Sequence, residues 1–127
     1  MRLSLMVGLA LMVLGGQAGL ADQSNPRIAD VKVKRDSPDQ AGIYHVKVTI
    51  EHEDTGWDDY VDAWEIVASD GSVLGVRPFF EPEMEQAKTV TALAGVVIPT
   101  DVKTVTIRAR KHPQGYEGDP VEISIPH

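Results

Sequence analysis

After residue 27, apolar and polar side chains alternate along the chain in short stretches separated by turn residues. Neighbouring side chains on a β-strand point to opposite faces, so a period of two indicates strands with one buried face. The stretches with this pattern are residues 28–34, 43–52, 60–68, 73–80, 88–93, 102–110 and 121–125. Seven short strands in about a hundred residues are typical of an immunoglobulin-like domain. We therefore predict an all-β, seven-stranded sandwich of the immunoglobulin or fibronectin type III kind.

The same alternation predicts which side chains form the core. The inward sets are Val31 and Val33 on the first predicted strand, Tyr44, Val46, Val48 and Ile50 on the second, Val105, Ile107 and Ala109 on the sixth, and Val121, Ile123 and Ile125 on the seventh. Trp64 and Ile66 fall on the inward face of the third strand, and such sandwiches use a tryptophan there to fill the core. Asp70-Gly71 is a two-residue turn signal, so we expect a hairpin with a type I′ turn between the third and fourth strands.

Residues 1–21 have the features of a secretory signal peptide. They contain one early cation, Arg2, an apolar run over residues 5–14, and the small residues Gly19 and Ala21. The run is too short to span a bilayer as a stable helix. No cysteine follows it, which excludes a lipoprotein anchor. We predict cleavage before Asp22, which leaves one domain over residues 22–127 that is periplasmic or secreted and does not insert into the membrane.

Charge and cysteine content narrow the classes of partner and site. The chain has 12 Lys and Arg against 19 Asp and Glu, a formal net charge of −7, which disfavours nucleic acid as a partner. It contains no cysteine. Disulfides, thiolate metal sites and thiol redox chemistry are therefore excluded, and the fold depends on its apolar core and its backbone hydrogen bonds.

The predicted strand order brings three connections to one end of the molecule. In an immunoglobulin-like sandwich these are the B–C, C′–E and F–G connections. They correspond here to residues 52–59, 81–87 and 111–119, and we call the end that they form the loop pole. Two histidines and nine carboxylates fall within these residues, whereas the connections at the opposite end contain no histidine. The loop pole is therefore the candidate functional region.

One interpretation of the loop pole is a divalent cation site, because imidazole and carboxylate groups from different loops can surround such an ion. The candidate ligands are His52, Asp54, Glu81, Glu83 and His112. Calcium is the expected ion, with zinc or copper as alternatives. The spacing of the aspartates does not match an EF-hand. In the other interpretation His52, at the rim of the core, hydrogen-bonds Asp54 or Asp58 and holds the connection in place.

A second set of residues at the loop pole is suited to contacting a protein partner. This set is Trp57, Asp58, Asp59 and Tyr116. A tryptophan on a loop either packs back over the core or is offered to a partner, and the sequence leaves both alternatives open. Phe79 and Phe80 are adjacent, so one of them must leave the inner face of its strand. We predict a binding module for a protein partner or a small cation.

The sequence contains no recognisable catalytic motif. There is no Gly-x-Ser-x-Gly elbow, no glycine-rich phosphate loop and no His-Glu-x-x-His pair. We therefore predict that the domain is not an enzyme. Two alternatives are a carboxylate-dependent periplasmic hydrolase, which would need a concave site, and a structural or interaction domain without a ligand.

Four blocks of the chain carry a family resemblance. They are His52-Glu53-Asp54-Thr55-Gly56-Trp57-Asp58-Asp59-Tyr60-Val61-Asp62-Ala63-Trp64-Glu65, Asp70-Gly71-Ser72-Val73-Leu74-Gly75-Val76-Arg77, Glu85-Gln86 and Leu93-Ala94-Gly95-Val96-Val97-Ile98-Pro99. The chain resembles a family of small uncharacterised bacterial exported proteins with a His-x-Asp-Thr-Gly-Trp-Asp motif. That resemblance implies further histidines at the loop pole, as His-Pro-His and as a histidine before glycine. Glu81-Pro82-Glu83 and Gln114 stand there instead, so it implies a lost transition metal or its replacement by calcium.

Overall fold

The computed structural model describes residues 25–127, and the predicted signal peptide lies outside them. The strands are β1 (Arg27–Arg35), β2 (Ile43–Glu51), β3 (Tyr60–Ala68), β4 (Val73–Pro78), β5 (Lys88–Val97), β6 (Thr104–His112), β7 (Gly115–Tyr116) and β8 (Val121–Ser124). Over this part of the chain no segment forms a helix with the length and apolarity needed to cross a membrane. The all-β prediction is confirmed.

The strands form two antiparallel sheets. One sheet has three strands in the order β1-β2-β5, and the other has five, in which β4, β3, β6 and β7 follow one another and β8 also pairs with β6. Every second residue of β2 and β6 is buried, as the alternation predicted. The buried faces of the two sheets enclose one core.

Residues 25–127 form eight strands rather than the predicted seven, because the edge of the larger sheet beside β6 is divided between two short strands. The short strand β7 pairs with the end of β6 at Arg110 and Lys111, and β8 pairs with the beginning of β6. Gly118, with a φ of 85°, and Pro120, which has no N–H to donate, lie between them. These two residues interrupt the ladder, so one edge is made from two pieces.

The core contains the residues that the alternation predicted. Tyr44, Val46, Val48, Ile50, Trp64, Ile66, Val105, Ile107, Ala109 and Ile125 are all buried. Val31, Val33, Val121 and Ile123 are only partly buried and pack against this core. Trp64 is 0% exposed, and its Nε1–H donates to Oγ1 of Thr91 on β5 at 2.9 Å, which satisfies the polar atom of the indole. The core role of Trp64 is therefore confirmed. Phe79 packs against this core and Phe80 is 82% exposed, so the two rings diverge as expected.

The hairpin between β3 and β4 is present, but its predicted type I′ turn is wrong. The N–H of Gly71 donates to the carbonyl of Ala68 at 2.9 Å, and the N–H of Ala68 donates to the carbonyl of Ser72 at 2.8 Å. Among the residues of this turn only Gly71 has a positive φ, of 92°, which describes a three-residue loop with glycine in the left-handed position. The Asp70 carboxylate accepts the Ser72 hydroxyl at 2.6 Å and the Ser72 N–H at 2.9 Å, and these bonds lower the pKa of Asp70.

Candidate functional site

The three connections of the loop pole meet at the same end of the molecule, as predicted. The backbone N–H of Glu83 donates to Oδ2 of Asp54 at 2.8 Å, which joins the β4–β5 connection to the β2–β3 connection. The ring of His112, at the end of β6, lies 5.5 Å from the ring of Tyr60 at the start of β3. Side chains from separate parts of the chain therefore share one small region.

A buried histidine–aspartate pair lies at the base of the loop pole. Nδ1 of His52 is 2.6 Å from Oδ1 of Asp54, and the two side chains are 3% and 5% exposed. A carboxylate only accepts, so Nδ1 carries the proton in this bond. The same Oδ1 accepts the backbone N–H of Val61 at 3.3 Å. The predicted hydrogen bond between His52 and a loop aspartate is therefore present, and the aspartate is Asp54.

A second aspartate and a lysine extend this buried pair. Oδ1 of Asp59 lies 3.5 Å from Nε2 of His52 and 3.5 Å from Nζ of Lys111. Lys111 is only 6% exposed. We call His52, Asp54, Asp59 and Lys111 the polar cluster. It brings two carboxylates, an imidazole and an ammonium group to the rim of the core.

Lys111 was not among the predicted site residues, although the strand pattern indicates its position. Val105, Ile107 and Ala109 face inward, and Lys111 is the next residue of the same parity. The predicted strand ended at residue 110, whereas β6 continues to His112. With the longer strand, alternation alone places the Lys111 side chain on the core face, at the end where Asp59 meets it.

A tight turn above the polar cluster presents Trp57 to solvent. The N–H of Thr55 donates to the carbonyl of Asp59 at 3.0 Å, the N–H of Asp59 donates to the carbonyl of Gly56 at 3.1 Å, and the Thr55 hydroxyl donates to Oδ2 of Asp59 at 2.9 Å. Trp57 and Asp58 occupy the tip, and Trp57 is 62% exposed. The alternative in which Trp57 packs back over the core is therefore wrong.

Three aromatic rings lie side by side at the loop pole. The Trp57 and Tyr60 ring centroids are 5.7 Å apart with an interplanar angle of 76°, an edge-to-face contact. Tyr60 and His112 are 5.5 Å apart at 48°. We call these residues the aromatic row. Asp58 and Asp59 belong to the same turn as Trp57. Near the other end of the row, Oδ2 of Asp62 is 3.9 Å from Nδ1 of His112.

The five predicted metal ligands differ in their contacts and in their exposure. His52 and Asp54 bond each other, Glu83 contributes its backbone N–H, and Glu81 and His112 are exposed. Within residues 25–127, no group of three or more histidine and acidic side chains is arranged to hold a metal ion. The space beside His52 and Asp54 has a volume of about 10 Å³, which is roughly the room that one water molecule needs.

Tyr116 lies on the outer face of the larger sheet rather than on a turn of the loop pole. Its hydroxyl donates to Oε2 of the buried Glu65 at 2.7 Å, and the guanidinium of Arg108, which also bonds Glu65, lies 4.1 Å from the centre of its ring. Burial and the bond to Glu65 raise the pKa of Tyr116. The hydroxyl of this predicted partner residue is thus already engaged within the sheet.

Asp62 has an ion-pair partner on the same outer face. Nε of Arg110 donates to Oδ1 of Asp62 at 2.7 Å, and this hydrogen bond raises the pKa of Arg110. Of the predicted partner-binding set, Trp57 and Asp58 are therefore exposed on the surface, whereas the polar groups of Asp59 and Tyr116 have partners within the fold.

Comparison of the chain with protein-family models, with curated proteins and with solved structures gave no match. The family resemblance drawn from the motif therefore stays a prediction. What the site does must be argued from its geometry.

Proposed function

We propose that this chain is an exported, non-enzymatic binding module of the immunoglobulin or fibronectin type III kind, and that its loop pole binds a protein partner through Trp57. The observation that carries the proposal is the 62% exposure of Trp57 at the tip of a turn that is held from beneath by buried polar groups. Tryptophan is enriched at the centres of protein interfaces, where it contributes strongly to affinity.

The cost of the polar cluster supports this proposal. Burying charged groups at the rim of the core is unfavourable unless they are paired and hydrogen-bonded, and an apolar rim would stabilise the fold as well or better. The polar cluster fixes the Trp57 turn, which an apolar rim would not do. Asp59 accepts a hydrogen bond from Thr55 across this turn while it faces His52 and Lys111. A preorganised loop loses less conformational entropy on binding.

Asp54, the buried carboxylate of the loop pole, fits a supporting role better than a catalytic one. It accepts hydrogen bonds from His52, Val61 and Glu83, and the neighbouring Asp62 on β3 pairs with Arg110. The space beside the histidine–aspartate pair, about 10 Å³, is too small for a substrate. These contacts argue against a hydrolase site at the histidine–aspartate pair.

Cation binding stays a separate prediction with its own test. The purified domain, stripped of metal, is titrated with calcium, zinc and copper by calorimetry beside His52→Ala and Asp54→Ala variants. Heat in the parent that both variants lose would support a cation site at the loop pole. No heat in the parent removes the cation from the proposal and leaves the partner unaffected.

Partner binding is tested by capture on the immobilised domain, with parent, Trp57→Ala and Phe80→Ala proteins. Phe80 is the matched control, because it is an exposed aromatic residue outside the Trp57 turn. We expect a protein that the parent and Phe80→Ala retain and that Trp57→Ala loses, followed by direct titration of the purified partner. Equal retention by all three proteins would contradict the proposal and favour a structural domain without a ligand.

A further inference from the structure

The exposed ring of Trp57 does not form a flat platform with its neighbour. Its plane is inclined by 76° to that of Tyr60, so the two rings form walls that meet at an angle. A flat ligand that stacks on several rings at once requires rings that are nearly coplanar. Aromatic walls at steep angles are instead suited to a compact cation, which is attracted to the negative face of each ring.

The charge around these rings has one predominant sign. Asp58 is exposed on the same turn as Trp57, and Glu53, Glu81 and Glu85 are exposed on the connections of the loop pole. The cations close to the aromatic row are paired within the fold, Lys111 with Asp59 and Arg110 with Asp62. A positively charged group that approaches Trp57 therefore meets carboxylates that lack a neutralising partner on the surface.

We propose that the occupant of this site is a lysine- or arginine-bearing segment of the protein partner, with its cationic group over Trp57 and beside Asp58. This inference rests on the proposed function, because it takes the loop pole as the binding surface and specifies the chemistry of what it binds. An apolar segment would leave Asp58 desolvated without a partner, whereas a cation pairs with it.

The chain provides its own spectroscopic probe for this proposal. It contains two tryptophans, Trp57 at 62% exposure and Trp64 at 0%, so only Trp57 is in contact with a ligand at the surface. The mature protein is titrated at low ionic strength with a tetra-arginine peptide, with a tetra-glutamate peptide and with a neutral leucine–serine peptide of equal length. We expect a change of tryptophan emission with tetra-arginine alone, weakening as salt is added.

Variants separate ring and charge contributions, with affinity for tetra-arginine measured by calorimetry. A cation–aromatic contact is expected to lose about two- to fivefold in affinity in Trp57→Leu and less in Trp57→Phe, which keeps a ring. Asp58→Asn is compared with Asp101→Asn, which removes the same charge from an exposed position at the opposite end of the domain. We expect Asp58→Asn to weaken binding and Asp101→Asn to leave it nearly unchanged.

Several results would overturn the inference. They are equal weakening by Asp58→Asn and Asp101→Asn, unchanged affinity in Trp57→Leu, or no response to tetra-arginine. If partner capture still depended on Trp57 in those cases, the proposed binding function would stand and only the cationic occupant would be rejected. If neither partner capture nor the response to tetra-arginine depended on Trp57, both proposals would be rejected.

Discussion

Oδ1 of Asp54 accepts a hydrogen bond from Nδ1 of His52 at 2.6 Å, while Oδ2 accepts the backbone N–H of Glu83 in a different connection. One buried carboxylate thus links the end of β2, the start of β3 through Val61, and the β4–β5 connection through Glu83. The binding surface that we propose is therefore coupled to the fold through a single side chain. Its removal should disturb both stability and the order of the loop pole.

Asp54→Ala is expected to lower the free energy of unfolding by about 3 kcal/mol, because it leaves a buried imidazole and two backbone N–H groups without their acceptor. Asp58→Ala, at the residue that follows Trp57 in the turn, should change it by less than about 0.5 kcal/mol because Asp58 is exposed. Urea denaturation of the three proteins measures both values. Similar stabilities for the two variants would contradict the role assigned to Asp54.

The two tryptophans are expected to differ in how much their replacement by alanine lowers the free energy of unfolding. Trp57→Ala should leave the free energy of unfolding nearly unchanged, whereas Trp64→Ala should lower it by about 3–5 kcal/mol through the cavity it creates in the core. Iodide should quench the emission of Trp57 and leave that of Trp64 unaffected. A large loss of stability in Trp57→Ala, or emission fully protected from iodide, would show that Trp57 is packed.

Most of the strands could be predicted from the alternation of apolar and polar residues. The features that could not be predicted depend on how the strands pair with one another. The alternation predicts β3 with its bounds, since Tyr60–Ala68 is both the predicted and the observed strand. The turn at Asp70-Gly71 was mistyped because the dipeptide suits two loop lengths, and the pairing of Ala68 with Ser72 selects the longer. The two-residue strand β7 carries no alternation of its own and forms through its pairing with β6.

The convergence of the loop-pole connections could be predicted from the strand order. The exposure of Trp57 could not, because it depends on the local geometry of one turn and on how that turn is closed. The hydroxyl and the N–H of Thr55 both donate to Asp59, which leaves Trp57 at the tip of the turn, 62% exposed. The residue types around Trp57 do not by themselves specify this set of bonds.

The ion pair between Asp59 and Lys111 is expected to show energetic coupling. Lys111→Met should lower the free energy of unfolding by about 2 kcal/mol, because it removes the ammonium group that faces the partly buried Asp59 carboxylate. Adding Asp59→Asn should cost less in this background than in the parent, with a coupling of about 1 kcal/mol in a double-mutant cycle. Strictly additive losses would show that the two groups do not interact.

The last prediction concerns the alkaline limit of stability, which Tyr116 is expected to influence. Its pKa is raised by burial and by the hydrogen bond to Glu65, so the folded state favours the neutral phenol more than the unfolded state does. A group with a raised folded pKa contributes stability that is fully present below its unfolded pKa, about 10 for tyrosine, and is lost as pH rises through the folded value. The contribution of Tyr116 should therefore be complete at neutral pH and should decline above about pH 10.

Tyr116→Phe isolates this effect, because the phenyl ring keeps its place beneath Arg108 while the titrating hydroxyl is removed. Near pH 8 the variant should be less stable than the parent in urea denaturation, since Glu65 loses one of its donors. The difference should narrow at pH 10.5, where the parent alone must keep the Tyr116 phenol protonated in order to fold with this bond intact. Tyr60→Phe removes a hydroxyl from the aromatic row and serves as the comparison. A parent–variant difference that is the same at both pH values would mean that the Tyr116–Glu65 bond does not govern the ionisation of this tyrosine.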